Sequence, residues 1–345
     1  NCPEEVNLAE RLVEMHPWSD MARFARSGGE ANAIAVRIAR AAAGKHKIAI
    51  CGYHGWHDWY LAANLADVDR LDGHLLPGLS PLGVPRELKS SALTFKYNEI
   101  KELEQLISSN DIGVIKMEVA RNEEPIDGFL QKVRKLATDN GIVLIFDECS
   151  SGFRQSFGGL HKVYDVEPDM AIFGKALGNG YAITAVLGKR DIMDVAQNTF
   201  ISSTFWTERI GPAAGLKTLE IMERETAWNY ITDTGNYISA QWKALASRWD
   251  IELSLSGLPS MRSFSFSSSN GLKYKTFITQ EMLKKGFLAT NSIYVSTAHT
   301  DQYIARYLEC LEEVFARISQ CEKGIDSIDE LLDGEICHAG FQRLN

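Results

Sequence analysis

The chain has 345 residues, enough to bury a large core and more than one minimal domain. Its 36 basic and 45 acidic side chains give a formal charge of −9, which argues against a nucleic-acid footprint. No apolar run approaches the roughly 20 residues needed to cross a bilayer, so no membrane partner is expected. The start, Asn1-Cys2-Pro3-Glu4-Glu5, has neither the basic region nor the apolar core of a signal peptide. It also lacks a Met, so the chain is expected to begin inside a longer protein. The cysteines Cys2, Cys51, Cys149, Cys310, Cys321 and Cys337 are scattered without CxxC spacing. That pattern favours reduced thiols and a cytoplasmic location over disulfides.

Leu8 to Met15 reads as an amphipathic helix stopped at Pro17, and Met21 to Ala25 as a short strand. Ser27-Gly28-Gly29-Glu30 then opens an alanine-rich helix from Ala31 to Ala43, with Ser27 as its cap and Gly44 as its end. His46 to Cys51 is a buried strand. Gly52 to Ser91 is irregular, aromatic and rich in glycine and proline, and a loop this long is usually functional. Strands then alternate with helices: Glu99 to Ser108 helical, Ile112 to Met117 extended, Gly128 to Asn140 helical, Ile142 to Phe146 extended. Met170 to Phe173 and Ala182 to Leu187 are two further strands. This alternation predicts an α/β fold with a mostly parallel sheet buried on both faces. Ile210 to Arg248 is helical. After Trp249 the texture changes: a half-exposed strand over Ser260 to Ser267, a helix over Thr276 to Lys285 and a long helix over Asp301 to Ile318. The expected division is a large domain over 1–225 and a smaller α+β domain over 226–345.

Two strand ends carry chemistry. Met170-Ala171-Ile172-Phe173 runs into Gly174-Lys175 and a glycine-rich turn. Desolvation at such a place favours a neutral amine, which can condense with an aldehyde. Leu144-Ile145-Phe146 ends in Asp147-Glu148. A Schiff-base lysine and an acid for a pyridinium nitrogen are the protein's share of pyridoxal phosphate (PLP) chemistry. Each residue is equally explicable as a strand-end charge facing water. Ser27-Gly28-Gly29 could bind phosphate at a helix N-terminus, or be only a turn. Tyr53, in Gly52-Tyr53-His54-Gly55-Trp56-His57-Asp58, could stack on a flat ring. A metal site at His54, His57 and Asp58 is the rival reading. The flanking glycines oppose the helix such spacing needs, and no metal is expected. Dinucleotide, P-loop and nucleophile-elbow motifs are missing from the sequence.

With Lys175, Asp147, the Ser27 turn and Tyr53 in one order, the chain resembles the class III aminotransferases, PLP enzymes of fold type I. Within them it is similar to glutamate-1-semialdehyde aminotransferase/aminomutase-like proteins. The resemblance runs from Leu8 to Gly340-Phe341-Gln342-Arg343-Leu344. It implies that Gly28 and Gly29 lend N–H groups to the cofactor phosphate beside Ser27, with Gly29 in place of the usual Thr. It implies Tyr53 as the stacking aromatic with His54 beside it in the cofactor site, and Glu118 as a glutamate facing the pocket. Asp147 corresponds to the pyridinium partner and Lys175 to the Schiff-base lysine. Cys149 takes the place of a Val or Ile against the other ring face. Thr204 corresponds to a threonine reaching the phosphate of a neighbouring subunit's cofactor, which requires a homodimer. Trp206-Thr207-Glu208-Arg209 departs from the family's Gly/Asn-Pro pattern there.

The activity so implied is amino-group transfer between an amine donor and an aldehyde or keto acceptor, with Lys175 and Asp147 as catalytic residues. A 2,1-aminomutase and a catalytically inactive binding protein of the same fold are the alternatives. The family's substrate-covering N-terminal segment is expected to precede Asn1. Arg23, Arg26, His54, Trp56, His57, Arg121 and Asn122 are the remaining pocket candidates, each more readily read as a structural or solvent-facing side chain than as a substrate contact. Trp56 and Trp59 together suggest room for a bulky or sugar-like amine.

Overall fold

The computed structural model describes residues 2–74 and 77–339. The terminal Gly340-Phe341-Gln342-Arg343-Leu344 stretch lies outside them. The chain divides into two compact units, 1–226 and 227–345.

The first unit contains, in chain order, α1 (Pro3–Met15), β1 (Met21–Ala25), α2 (Gly28–Ala43), β2 (Lys47–Cys51), α3 (Asp58–Leu61), β3 (Ala92–Thr94), α4 (Ile100–Ser109), β4 (Ile112–Glu118), α5 (Phe129–Asp139), β5 (Val143–Glu148), β6 (Met170–Phe173), β7 (Thr184–Gly188), α6 (Arg190–Met193) and α7 (Ile210–Glu225). Seven strands form one sheet in the order β1-β7-β6-β5-β4-β2-β3. The neighbours from β6 through β3 are parallel, while β7 runs antiparallel to both β6 and β1. Every residue of β4, β5, β6 and β7 is buried, as expected of strands covered on both faces. β3 was not predicted, because three residues at a sheet edge carry no readable alternation.

Side chains alternate strictly between two cores. Val114, Ile145, Ile172 and Val186 pack with the apolar stripe of α2, including Ile34, Ala35 and Ile38. Ala171, Phe173, Ala185 and Leu187 pack on the other side with Leu8 and Leu12 of α1. Four ionisable side chains sit in these buried strands: Lys116, Glu118, Asp147 and Glu148. Burying an ion costs several kcal/mol unless it is paired and hydrogen-bonded, so each must have partners.

The irregular stretch after β2 has its own scaffold. Buried Asn64 donates to the Leu79 carbonyl (2.7 Å) and accepts from the Leu71 N–H (2.9 Å). Tyr60 donates its hydroxyl to the Gly52 carbonyl at 3.0 Å.

The second unit has α8 (Ala227–Arg248), the antiparallel pair β8 (Leu253–Ser256) and β9 (Ser263–Phe266), α9 (Gly271–Lys284), α10 (Asp301–Glu322) and α11 (Ile328–Leu331). Trp242, Phe264, Tyr274 and Phe315 form the centre of its core. The predicted strand over Ser260 to Ser267 shrinks to β9, since Pro259–Met261 forms a tight helical turn.

Candidate active site

Asp147 ends β5 on the α2 face, with only 4% of it exposed. Its Oδ2 accepts from His54 Nδ1 (2.9 Å) and from Lys116 Nζ (3.3 Å), and its Oδ1 accepts from the Cys149 N–H (3.1 Å). Burial alone would raise this carboxyl, but the Lys116 charge and the His54 hydrogen bond outweigh it and hold it well below the usual carboxylate range. Burial, reinforced by Lys116, pushes His54 down to about 4. Its Nδ1 faces Asp147 Oδ2 and its Nε2 faces the Cys51 carbonyl at 3.1 Å, so both ring nitrogens point at acceptors. Trp59 stacks behind His54 with ring centroids 6.3 Å apart.

Ser27 caps α2, its hydroxyl accepting from the Glu30 N–H, and Glu30 reaches back to the Arg26 N–H at 2.8 Å. Gly28 and Gly29 are the first two residues of the helix, where backbone N–H groups point outward. Cys149 ties this turn to Lys175. A methyl group on Gly28 would lie 3.7 Å from Cys149 Sγ, and one on Gly174 would lie 3.3 Å from it. Lys175 opens a short helical turn at φ 43°, a left-handed conformation that costs a lysine about 1 kcal/mol. Its Nζ donates to Ser150 Oγ at 2.5 Å. Lys175 is exposed, so the desolvation expected from its place at a strand end is not found. The strand ends at Phe173, as expected, and Lys175 opens the helical turn that follows Gly174. The buried lysine of this unit is Lys116.

Glu118 closes β4 and organises the loop after β2. Its Oε2 accepts from the Tyr53 N–H (3.0 Å), and Arg121 pairs with Oε1 (3.0 Å). Burial raises the Glu118 carboxyl, and Arg121 offsets part of that rise. The Arg121 guanidinium lies 5.9 Å from the centroid of the Tyr53 ring. Gly52, Glu118, Arg121 and Asn122 line a cavity of about 1160 Å³ that also touches His74 and Tyr97. Trp56 is 71% exposed, whereas Trp59 is buried, so the two do not form the shared aromatic surface the sequence suggested.

Thr204 is exposed, in a short helical turn over Thr204–Thr207. Arg26 holds this turn, donating to the carbonyls of Phe205 (2.9 Å) and Trp206 (2.8 Å) and pairing with Glu208 (2.9 Å). Trp206 donates its indole N–H to Glu30 Oε1 at 2.9 Å and lies under Arg23. Arg23 and Arg26 are thus occupied structurally, and the unusual Trp206-Thr207-Glu208 sequence anchors its segment to the start of α2.

Two participants were missed by sequence reading. Ser150, which holds Lys175, looks like any turn serine. Lys116 did carry a signal, a lone cation inside the apolar run Ile112 to Met117, yet its partner stands 31 residues away.

A family model for class III aminotransferases matches residues 2–320. The chain is 33% identical over 327 residues to 3-aminobutyryl-CoA aminotransferase of Cloacimonas acidaminovorans, covering 91% of this chain and 75% of that protein. It is 30% identical over 340 residues to glutamate-1-semialdehyde 2,1-aminomutase of Hyperthermus butylicus, covering 91% and 78%. The fold is shared with the PLP-bound FumI protein of Sphingopyxis sp. MTA144 at a TM-score of 0.83 and 24% identity, covering 96% of this chain and 79% of that one. The chain belongs to the class III aminotransferases, with the PLP-dependent transferase fold type I; it is an enzyme of PLP-dependent amino-group transfer.

Proposed function

We propose that Lys175 and Asp147 are the catalytic residues of this aminotransferase, acting between a small amine donor and an aldehyde or keto acceptor. The observation that carries the proposal is Cys149, whose thiol lies between the α2 turn and the Lys175 turn, one residue beyond the Asp147–Glu148 strand end. The residues suit the cofactor. Among the described residues the buried His57 Nδ1 has no hydrogen-bond partner, and a methyl on Gly29 would lie 3.2 Å from it. That nitrogen and the N–H groups of Gly28 and Gly29, beside Ser27, suit a phosphate. Tyr53 and Cys149 would flank a ring bound there, and Glu118 holds the Tyr53 loop in place. Bound there, PLP supplies an aldehyde that captures amines and an electron-withdrawing ring.

The chain's own residues do the rest. Asp147, ionised and held by His54, stabilises a proton on the ring nitrogen. Lys175 Nζ would serve as base and then acid for the proton on the substrate carbon that bears nitrogen. Ser150 Oγ orients that amine.

A 2,1-aminomutase outcome is the second reading, favoured by the relative of that name at 30% identity. Both need the same lysine. Thr204 is assigned to the neighbouring subunit's phosphate in a homodimer; Phe200, Phe205 and Ile210, all exposed apolar side chains near it in sequence, support a covered surface there. The six cysteines are free thiols, which supports a cytoplasmic location. The large unit, 1–225, is assigned the cofactor and 226–345 a separate domain.

The test is absorbance of the reconstituted protein between roughly 330 and 430 nm, where bound PLP absorbs, followed by a panel of amines and carbonyl acceptors. Lys175→Ala should lose turnover by about 10²–10⁴-fold. A parent that stays colourless with PLP refutes the assignment. Turnover of glutamate-1-semialdehyde without a second substrate selects the mutase. A fully active monomer in sedimentation refutes the Thr204 assignment.

A further inference from the structure

Lys116 has no solvent-accessible surface and lies in the middle of β4, in register with Ile50 on one side and Ile145 on the other. Its Nζ reaches Asp147 Oδ2 at 3.3 Å, the oxygen that also takes His54 Nδ1. A carboxylate offers about four acceptor positions, so Asp147 keeps room on Oδ1, which is shared with the Cys149 N–H. A methionine would fill the Lys116 volume without the cost of burying an ammonium, and replacing buried ion pairs by apolar groups is often neutral or stabilising. Packing therefore does not account for the charge. Its consequence falls on Asp147.

We infer that Lys116 is a positioning residue of the cofactor site: it clamps Asp147 through Oδ2 and sets a fixed cation against that acid, which makes Asp147 a weaker partner for the ring nitrogen than an unpaired carboxylate. The inference rests on the reading that Asp147 faces that nitrogen. The other titratable groups facing the pair are His54, Glu118 and Cys149. Burial pulls the His54 ring down and pushes the Cys149 thiol up, and Glu118 is matched by Arg121. Burial pulls the Lys116 amine down and the Asp147 carboxylate 3.3 Å away opposes that fall, so the Lys116 ammonium is the cation set against Asp147. A second cation on the same carboxylate meets a neutralised partner. Charges a few ångströms apart in a protein interior change such affinities by an order of magnitude.

The experiment is competition binding to the cofactor-free protein between PLP and its analogue with carbon in place of the ring nitrogen. The preference for PLP over the analogue isolates the nitrogen contact from phosphate and aldehyde contacts. Lys116→Met should raise that preference about tenfold. Lys116→Gln, which keeps a donor and removes the charge, should raise it as well and covers the case in which the methionine variant misfolds. In an Asp147→Asn background neither substitution should change it. A preference unchanged within about twofold in both Lys116 variants, while Asp147→Asn lowers it, overturns the role of Lys116 alone. A preference untouched by Asp147→Asn overturns the reading of Asp147 and the inference with it.

Discussion

Asp147 and Glu148 are adjacent on β5 and serve opposite faces of the sheet: Asp147 meets His54 and Lys116 on the α2 side, and Glu148 meets His161 and Ser151 on the α1 side. Strand alternation alone separates them. The first carries the chemistry assigned to the site. The second anchors the loop between β5 and β6.

Glu148 accepts from Ser151 Oγ (2.7 Å), the Leu160 N–H (2.7 Å), the His161 N–H (2.9 Å) and His161 Nδ1 (2.7 Å). Removing the carboxylate strands four buried donors. Glu148→Ala should cost roughly 3–5 kcal/mol in urea unfolding of the apo-protein. An exposed pair such as Lys217–Glu220 is the control: Glu220→Ala should leave stability essentially unchanged. A Glu148→Ala loss no larger than that control would show that the network is dispensable.

His16 predicts an acid limb in the stability curve. Its Nδ1–H donates to the Leu12 carbonyl (2.8 Å) and its Nε2 accepts from the Gly159 N–H (3.0 Å), so the neutral ring is fully satisfied. Burial holds it down to about 4, against 6.5 when unfolded. Above pH 6.5 both states are neutral and folding loses nothing. Between 6.5 and 4 only the unfolded state takes up the proton, so stability falls as pH falls through that window, by roughly 3 kcal/mol in total. Thermal unfolding of the wild type and of His16→Gln across pH 4–7 checks this, because the variant should have a shallower slope.

Gly52 and Gly44 both have positive φ, at 103° and 65°, with different surroundings. A methyl on Gly52 would lie 2.6 Å from Glu118 Oε2, while one on Gly44 meets nothing within 4 Å among the described residues. Gly44→Ala should cost about 1 kcal/mol, the backbone penalty alone. Gly52→Ala adds a clash with the side chain that holds Tyr53, and should cost about 3 kcal/mol and weaken PLP binding. Equal losses in the two variants would refute the proposed coupling of Gly52 to Glu118.

Arg26 bonds Phe205 and Trp206 carbonyls and pairs with Glu208 while only 16% of its side chain is exposed. Arg26→Ala should raise amide exchange over residues 200–208 by about tenfold or more, with little change in β4 and β5. Uniform protection in the variant would mean that the segment is held by other contacts.

Hydrophobic periodicity was sufficient to place the parallel strands β2, β4, β5 and β6, the helix α2 with its Ser27 cap, the strand end carrying Asp147 and the turn after β6 that carries Lys175. Those features follow from local spacing, because a strand buried on both faces must be apolar along its length and a helix must be capped where it starts. Only the tertiary structure decided that Lys175 is exposed, that Trp206 binds the capping Glu30, and that Asp147 is shared by Lys116 and His54. For Asp147 these are partnerships with side chains 31 and 93 residues away in the chain. Spacing reports which side chains leave water. The balance of a buried charge depends on which side chains from other strands reach it, and that is set when the sheet assembles.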